Sequence, residues 1–285
     1  MRYLVRTDPS TLFALALSPE AHVFAGVLGA LLGSFGNVCI LRIPRGLSVV
    51  RPPSHCFACS KPVRWYDNLP LVSWLLLRGR CRDCGATFSP RYLLVEGAML
   101  ALALATYHFC LVTSDDVPAG LARFGVYLLF ELALVVITFI DLDHKKIPDK
   151  ITYPGIPLFL AFGLLLGERP WLDLVIGVVA GYGVVRALSD GYYWITGREG
   201  LGYGDGKLLA LIGGLFGWQA VLFSLFGGSV LGTVIILPVL LFRRREGENV
   251  RHVEIPFGPF LAAAAIVYLF VGASLRLGSG ILMPW

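Results

Sequence analysis

Long apolar segments separated by short polar ones make up most of the chain. A helix that crosses a membrane needs about 20 apolar residues, and a shorter one serves where it is buried among other helices. The pattern predicts eight membrane-spanning helices, of which the sixth is short and rich in glycine. An alternative takes the stretch 206–242 as one broken helix followed by a span, which reduces the count to seven. The eight predicted spans are 21–41, 92–113, 121–140, 151–167, 171–195, 206–217, 219–242 and 257–277.

The composition of the 285-residue chain supports this interpretation. Hydrophobic residues make up 56% of it and charged residues only 15%, whereas a soluble domain carries about 25% charged residues. The basic residues lie in loops between apolar segments rather than on an aromatic-rich soluble face, which argues against binding to nucleic acid. We therefore expect an all-α polytopic membrane protein that is surrounded by lipid and has no nucleic-acid partner.

The distribution of basic residues predicts the orientation in the membrane. With both termini outside, four polar segments and Lys207 fall on the cytoplasmic side and together hold 18 of the 24 Lys and Arg residues. This asymmetry satisfies the positive-inside rule. The N-terminal residues 1–20 are expected to stay attached rather than to be removed as a signal peptide. The four cytoplasmic segments are 42–91, 141–150, 196–206 and 243–256.

Residues 42–91 form a polar, basic insertion of 50 residues. A segment of this length is unusual as a plain connection, so we interpret it as a small cytoplasmic domain. The chain then divides into a lead-in with the first span (1–41), the insertion (42–91) and a transmembrane core (92–285). No internal repeat is expected.

Two CxxC pairs mark this insertion, Cys56 with Cys59 and Cys81 with Cys84. Four thiolates at this spacing can hold a structural zinc ion in a closed tetrahedral site. A reducing cytoplasm favours metal over disulfide, and a loop with so small a core would draw folding free energy from the metal. A redox or disulfide role is one alternative, and the lack of any role is another. A closed site has no open position for catalysis, so the predicted zinc is structural.

Two aspartates lie at the ends of apolar segments on the predicted cytoplasmic side, Asp141 in FIDLDHKKIPD and Asp205 in GLGYGDGK. A carboxylate at a membrane edge costs free energy and usually has a function. Two carboxylates that share one proton are the catalytic groups of an aspartic protease. The alternatives are a helix-end carboxylate in contact with water for Asp141 and a mobile polar loop for Asp205.

Three further polar residues are candidates for supporting roles. Asp143 follows Asp141 by two positions, so on a helix it points elsewhere and is a candidate to orient a partner. Asp149 is a candidate cap for the helix that follows it. Lys207 is a candidate either to tune the proton shared by the aspartates or to bind substrate.

Glycines flank Asp205, and Gly202 and Gly204 are the closest of them on its N-terminal side. Glycine adopts positive φ without strain and lets a peptide approach the backbone closely. We therefore expect this segment to admit a substrate chain beside Asp205.

Several motifs, taken in order, resemble those of the type IV prepilin peptidases, the leader peptidases of type IV pili and type II secretion. The resemblance covers most of the chain, and no motif of the family is missing. The insertion is compact and lacks the extension before the first CxxC that some members carry. The motifs are GSFGNVCILRIPRG, the two CxxC pairs with DNLPLVSW between them, GRCRDCGATFSPRYLLVE, FIDLDHKKIPD, GYGDGKLLALIGGLFGW and IPFGPFLA.

The resemblance implies a bifunctional enzyme of the bacterial inner membrane whose active site faces the cytoplasm. Such enzymes cut the basic leader from prepilins and pseudopilins after a Gly, and many then methylate the new N-terminal amine with S-adenosylmethionine. By motif, Asp141 and Asp205 are the implied catalytic pair, and the four CxxC cysteines are the implied zinc ligands. The methyl-donor site is expected in or beside residues 42–91.

Two other functions remain as alternatives. An intramembrane protease of the signal-peptide-peptidase or presenilin type shares GxGD, but the CxxC insertion and the lack of a YD pair at Asp141 argue against it. A transporter would use the aspartates as a proton relay, and apolar spans broken by glycine suit that function. Peptide cleavage by the purified protein separates these classes.

Overall fold

The computed structural model describes residues 9–197, 202–245 and 255–278. Within these ranges the regular structure is helical, and β pairing is limited to two isolated bridges in the insertion. This confirms the predicted all-α fold class. The α-helices are α1 Pro9–Ala16, α2 Pro19–Arg42, α3 Val72–Leu76, α4 Arg91–Val112, α5 Val117–His144, α6 Asp149–Leu166, α7 Trp171–Thr196, α8 Tyr203–Phe216, α9 Trp218–Arg245 and α10 Gly258–Gly278.

Each predicted span corresponds to one of these helices. In the described part of the chain, α2, α4, α5, α6, α7 and α9 are long and apolar enough to cross a membrane. Helix α8 has 14 residues, which is about 21 Å and shorter than a hydrocarbon core of about 30 Å. Helix α10 is apolar over the shorter stretch Gly258–Gly272. The chain is therefore a multi-pass membrane protein, and the count of eight spans stays a prediction.

Helix α5 is longer than the predicted span 121–140. It continues to His144, so Asp141 and Asp143 belong to its last turns and not to the loop that follows. Asp141 is buried there, whereas Asp143 is exposed. The helix persists beyond its apolar stretch because protein covers one face of this polar end.

The boundary between the sixth and seventh predicted spans falls at Gly217. Its φ is +84°, a value that glycine adopts far more readily than other residues. The Gly217 N–H donates to the Gly213 carbonyl at 2.8 Å, and this bond closes α8 before α9 begins at Trp218. The two helices are therefore separate elements.

By internal packing the chain divides into two compact units, Met1–Val136 and Ile137–Trp285. The boundary lies within α5, so this helix contributes to both. The first unit holds the cysteine insertion, and the second holds Asp141 and Asp205. The three-part division at residues 41/42 and 91/92 stays a prediction.

In the first unit, α2 packs closely against α4 through glycines. A Cβ on Gly29 would lie 2.5 Å from the Met99 carbonyl oxygen, and one on Gly33 would lie 2.7 Å from Glu96 Cα. Small residues allow such close approach, on which helix association in lipid depends. The insertion connects these two helices, so their packing fixes both of its ends.

In the second unit, the short helix α8 is surrounded by α6, α7 and α9. Every residue from Leu208 to Phe216 is buried, as expected for a helix that is apolar on all sides. A Cβ on Gly213 would clash with the Gly177 carbonyl oxygen of α7, so glycine is required for this contact. The packing fixes α8 and thereby positions Asp205 in its first turn.

Candidate metal site and aspartate pair

The four cysteines of the CxxC pairs come together in the insertion. Their Sγ atoms all lie within 4.8 Å of one another, and Cys56 Sγ lies 3.7 Å from Cys84 Sγ. In a tetrahedral site with Zn–S bonds of about 2.3 Å, neighbouring sulfurs are about 3.8 Å apart. The cluster therefore has the dimensions of a four-thiolate metal site.

The two CxxC pairs have the same backbone structure, repeated with an offset of 25 residues between Cys56 and Cys81. In each, the N–H of the first cysteine donates to a carbonyl five positions later, at 2.9 and 2.8 Å. The residue after the second cysteine has positive φ in both, 57° at Ser60 and 74° at Gly85. The expectation of no internal repeat is therefore wrong for the insertion. Alignment of the two cysteine pairs with their flanks would have revealed the repeat.

Backbone hydrogen bonds prepare Cys56 to act as a ligand. Hydrogen bonds from the backbone of Cys59 and Ala58 lower the pKa of the Cys56 thiol to about 6. Because the thiolate is the form that binds metal, this cysteine presents a ligand near neutral pH.

Ion pairs connect the segment between the two CxxC pairs to the second CxxC pair. Arg82 Nη2 lies 2.6 Å from Asp67 Oδ1, and Arg82 Nε donates to both carboxylate oxygens at 3.0 and 2.9 Å. Asp83 Oδ1 lies 3.4 Å from Lys61 Nζ and 3.5 Å from Arg64 Nη2. The bidentate Arg82–Asp67 pair has a defined geometry, so it fixes the linker segment DNLPLVSW beside the cysteines.

The first of the two aspartates, Asp141, is buried in the last turn of α5. Its Oδ2 accepts a hydrogen bond from the Gly258 N–H at 3.0 Å, and Gly258 begins α10. A helix N-terminus favours a negative charge. A Cβ on Gly258 would lie 2.7 Å from the same oxygen, so this contact requires glycine.

The second aspartate, Asp205, is buried in the first turn of α8. Its backbone N–H donates to the Gly202 carbonyl at 3.0 Å. Ile147 lies close to the neighbours of both aspartates, since a Cβ on Gly204 would be 3.0 Å from Ile147 Cβ and one on Gly258 would be 3.3 Å from Ile147 Cδ1. The segments FIDLDHKKIPD, GYGDGK and IPFGPF therefore meet at one place.

Asp205 lies outside the six helices that are long enough to span the membrane. Burial, and after it the negative charge of nearby Asp141, raises the pKa of the Asp205 carboxyl to about 7. Two carboxylates that influence each other in this way do not ionise independently. The pair therefore holds a proton to a higher pH than an isolated aspartate would.

Lys207 pairs with Asp149 rather than with the buried aspartates. Its Nζ lies 2.6 Å from Asp149 Oδ1 and 4.7 Å from the centre of the Tyr153 ring. The N-cap of α6 is Pro148, and no side chain caps this helix, so the predicted capping role of Asp149 is wrong. The ion pair instead connects the first turn of α6 to α8, the helix that carries Asp205.

The other supporting candidates occupy the same end of the second unit. Asp143 is exposed, whereas Asp141 two positions before it is buried. Gly202 precedes α8 with φ −70°, and Gly204 lies within that helix, so neither has the expected positive φ. At Gly204 the absence of a side chain allows a close contact, since a Cβ there would lie 3.0 Å from Ile147 Cβ, whereas a Cβ on Gly202 would meet Asp205 Oδ2 at an ordinary 3.5 Å.

Sequence reasoning missed Gly258 and Ile147 as parts of this site. Both lie in motifs that the sequence analysis singled out, IPFGPFLA and FIDLDHKKIPD. A glycine flanked by bulky residues at the start of a helix was the available signal, because only a close contact would exclude a side chain there.

Gly258→Ala is expected to lower peptide-cleaving activity by about 10- to 100-fold, since the new methyl group would displace the Asp141 carboxylate and small displacements of catalytic groups are costly. Initial rates on a peptide substrate measure this. Gly183→Ala is the matched control, because nothing lies within 4 Å of a Cβ at that helical position. Full activity in Gly258→Ala would contradict the assigned importance of this contact.

Comparison with known proteins shows the family to which this chain belongs. The chain is 37% identical to a protein of Aeromonas salmonicida over 270 residues, which cover 86% of this chain and 89% of that relative. The relative is named prepilin leader peptidase/N-methyltransferase. The family model described as Type IV leader peptidase family matches residues 128–237. This chain belongs to the type IV leader peptidase family.

Other matches extend over the rest of this leader peptidase. The family model described as Bacterial Peptidase A24 N-terminal domain matches residues 27–110, which include the cysteine insertion. Relatives with the same printed name occur in Myxococcus xanthus, at 38% identity over 83% of this chain and 68% of the relative, and in Pseudomonas aeruginosa, at 34% over 90% and 93%. No solved structure matches the chain.

Proposed function

We propose that this leader peptidase removes the basic leader from prepilins and pseudopilins at the cytoplasmic face of a bacterial inner membrane, and then methylates the new N-terminal amine. The observation that carries the proposal is the pair of buried carboxylates, Asp141 and Asp205, where three motif segments meet. The relatives' name, prepilin leader peptidase/N-methyltransferase, supports both activities. The basic residues of the polar segments support the orientation.

The proposed cleavage mechanism uses one protonated and one ionised aspartate. Asp205, with its raised pKa, begins protonated, and Asp141 acts as the base. Asp141 takes a proton from water, the resulting hydroxide attacks the scissile carbonyl carbon, and Asp205 donates its proton to the carbonyl oxygen. When the C–N bond breaks, Asp141 gives its proton to the leaving amine and Asp205 regains one from the gem-diol oxygen.

The position of the pair suits a substrate that is anchored in the membrane. A prepilin has a basic leader followed by an apolar helix, so its scissile bond lies near the membrane surface. Asp141 follows the apolar stretch of α5, which places it at the edge of a membrane-spanning helix.

The cysteine cluster supports a structural zinc site. The four sulfurs all lie within 4.8 Å of one another, and two of them are 3.7 Å apart, which fits tetrahedral coordination by thiolates. Bound zinc would supply folding free energy to the insertion. Cys56, Cys59, Cys81 and Cys84 would be its ligands, and this closed set has no position for a substrate.

S-adenosylmethionine is the proposed methyl donor. Its sulfonium carries a methyl group that an amine can accept, and the new N-terminus of a cleaved prepilin provides such an amine. The N-methyltransferase part of the relatives' name supports this assignment.

The test is to incubate the purified full-length protein with a prepilin, with and without S-adenosylmethionine, and to weigh the products by mass spectrometry. We expect loss of the leader in both reactions and an added methyl group only with the donor. Absence of cleavage, with proton movement across reconstituted vesicles, would favour a transporter. Cleavage within the apolar helix would favour the presenilin-type alternative.

A further inference from the structure

The first turn of α8 carries Asp205, and two residues that the cleavage mechanism does not use lie in the same part of the helix. Tyr203 and Lys207 stand two positions before and two positions after Asp205. Residues four positions apart share one face of a helix, and a residue midway between them lies on the opposite side. Tyr203 is accordingly 45% exposed, whereas Asp205 is buried. Contacts made by Tyr203 and Lys207 can therefore fix this turn without touching the carboxyl group.

Tyr203 joins this turn to α7 through a closed set of three contacts. The Tyr203 hydroxyl donates to Asp190 Oδ1 at 3.0 Å, and Asp190 Oδ2 lies 3.2 Å from Arg186 Nε. The guanidinium carbon of Arg186 lies 5.2 Å from the centre of the Tyr203 ring, within the range of a cation–π contact. We call Arg186, Asp190 and Tyr203 the α7 cluster, in which each residue contacts the other two.

Lys207 joins the same turn to α6. Besides its ion pair with Asp149, its Nζ lies over the ring of Tyr153, 4.7 Å from the ring centre. Asp149 and Tyr153 are four positions apart in α6 and so share one face of that helix. We call Asp149, Tyr153 and Lys207 the α6 cluster. The Lys207 side chain is only 13% exposed, so salt screens its ion pair less than one on an open surface.

The start of α8 depends on tertiary contacts because its own sequence provides no cap. The N-cap position is Gly202, and no side-chain hydrogen bond caps the helix. The first N–H groups of a helix have no intrahelical partners, and helix ends fray readily. A Cβ on Gly206 would lie 3.2 Å from Val185 Cβ of α7, closer than the usual contact between carbon atoms of about 3.5–4.0 Å. Close packing and the two clusters thus hold a turn that lacks a local cap.

We propose that the α7 cluster and the α6 cluster position Asp205 for catalysis, an inference that rests on the proposed peptidase function. The clusters hold the first turn of α8 from two neighbouring helices, so that the Asp205 carboxyl stays buried near Asp141. Tyr203 and Lys207 act through the helix backbone and not on the substrate, so they are positioning residues. Small displacements of catalytic groups are costly, and loss of either cluster should therefore slow cleavage.

The position of Asp205 also controls its protonation. Burial, and after it the negative charge of Asp141, raises the pKa of the Asp205 carboxyl, and both effects weaken if the turn moves outward. The pKa of Asp205 would then fall. Because protonated Asp205 is the proposed acid, the basic limb of the pH–rate profile would move to lower pH.

A shift of this limb in Tyr203→Phe would report position and not a change of charge. Tyrosine is neutral below about pH 10, so this substitution leaves every charge around the turn in place. From α10 the turn's surroundings receive the backbone N–H of Gly258, which donates to Asp141. Charged groups around the turn come from α5, α6, α7 and α8, namely Asp141, Asp149, Arg186, Asp190 and Lys207.

The test measures kcat, KM and the pH–rate profile of leader cleavage by the full-length protein with its metal. Tyr203→Phe removes the hydrogen bond to Asp190 but keeps the ring beside Arg186. Lys207→Met removes the ion pair but keeps a side chain of similar length. Each is expected to lower kcat about tenfold with unchanged KM, and Tyr203→Phe should also move the basic limb to lower pH. Tyr192→Phe is the matched control, because Tyr192 is in the same part of α7 and is 47% exposed, and its kinetics should equal those of the wild type.

Exposed ion pairs contribute little to stability, so both variants should keep the wild-type midpoint of thermal unfolding, and Tyr203→Phe alone decides if Lys207→Met is unstable. Wild-type kcat in both variants, or a higher KM with unchanged kcat, would overturn the positioning role and leave the peptidase function standing. A lower kcat with an unshifted basic limb in Tyr203→Phe would do the same. A wild type that cleaves no prepilin would overturn the proposed function and this inference together.

Discussion

Asp141→Asn and Asp205→Asn are each expected to lower the rate of leader cleavage by about 10³-fold or more, the upper range for loss of general acid–base catalysis. Asparagine has nearly the same shape as aspartate, but its amide neither takes a proton from water nor donates one to the carbonyl oxygen. The fold should persist, because in Asp141→Asn the amide oxygen still accepts the Gly258 N–H, which lies 3.0 Å from the native carboxylate. Mass spectrometry of timed reactions measures the rate.

Two comparisons make this result specific to the pair. The double variant should be no slower than either single variant, because the two carboxylates act as one unit and such effects are not additive. Asp115→Asn is the matched control, since Asp115 is exposed between α4 and α5, and it should cleave at the wild-type rate. A single Asn variant within about tenfold of wild type would refute the shared role of the two aspartates.

The helices were predictable because most of them are long apolar segments bounded by polar residues. The boundaries that shifted have physical causes in the packing. Helix α5 continues through Asp141 because a buried contact with Gly258 covers its polar end. Helix α8 is too short to identify from length alone, and the neighbours that bury it on all sides, α6, α7 and α9, follow from the packing and not from any local pattern.

The candidate site was predictable in part. The two aspartates and four cysteines stand out because carboxylates and paired thiols are rare in apolar chains and have few structural uses there. The contact of Gly258 with Asp141 joins residues 117 positions apart in the chain, and a local sequence pattern cannot predict a contact between residues so far apart. The Lys207–Asp149 ion pair likewise depends on tertiary packing.

Cys56→Ser is expected to remove the bound metal and to loosen the insertion. The wild type should contain about one zinc ion per chain, measured by plasma mass spectrometry, because the four sulfurs form one closed set. The variant should lose that metal on dialysis, and protease should then cut within residues 42–91. In zinc-finger peptides, binding of structural zinc supplies about 10–16 kcal/mol, far more than a polar insertion of this size can gain from its small core.

Cys39→Ala is the matched control, because Cys39 is buried in α2 and lies outside the cysteine cluster. It shows whether the effect of Cys56→Ser comes from loss of a metal ligand or from loss of any thiol. This variant should keep its metal and its protease resistance.

A disulfide in place of metal would appear as a mass two hydrogens lighter for each bond and as resistance to alkylation until reduction. A Cys56→Ser protein that retains both the metal and a protease-resistant insertion would contradict the four-thiolate site. A wild type that contains no metal but has a protease-resistant insertion would also contradict it, because zinc would then not be what stabilises the fold of these 50 residues.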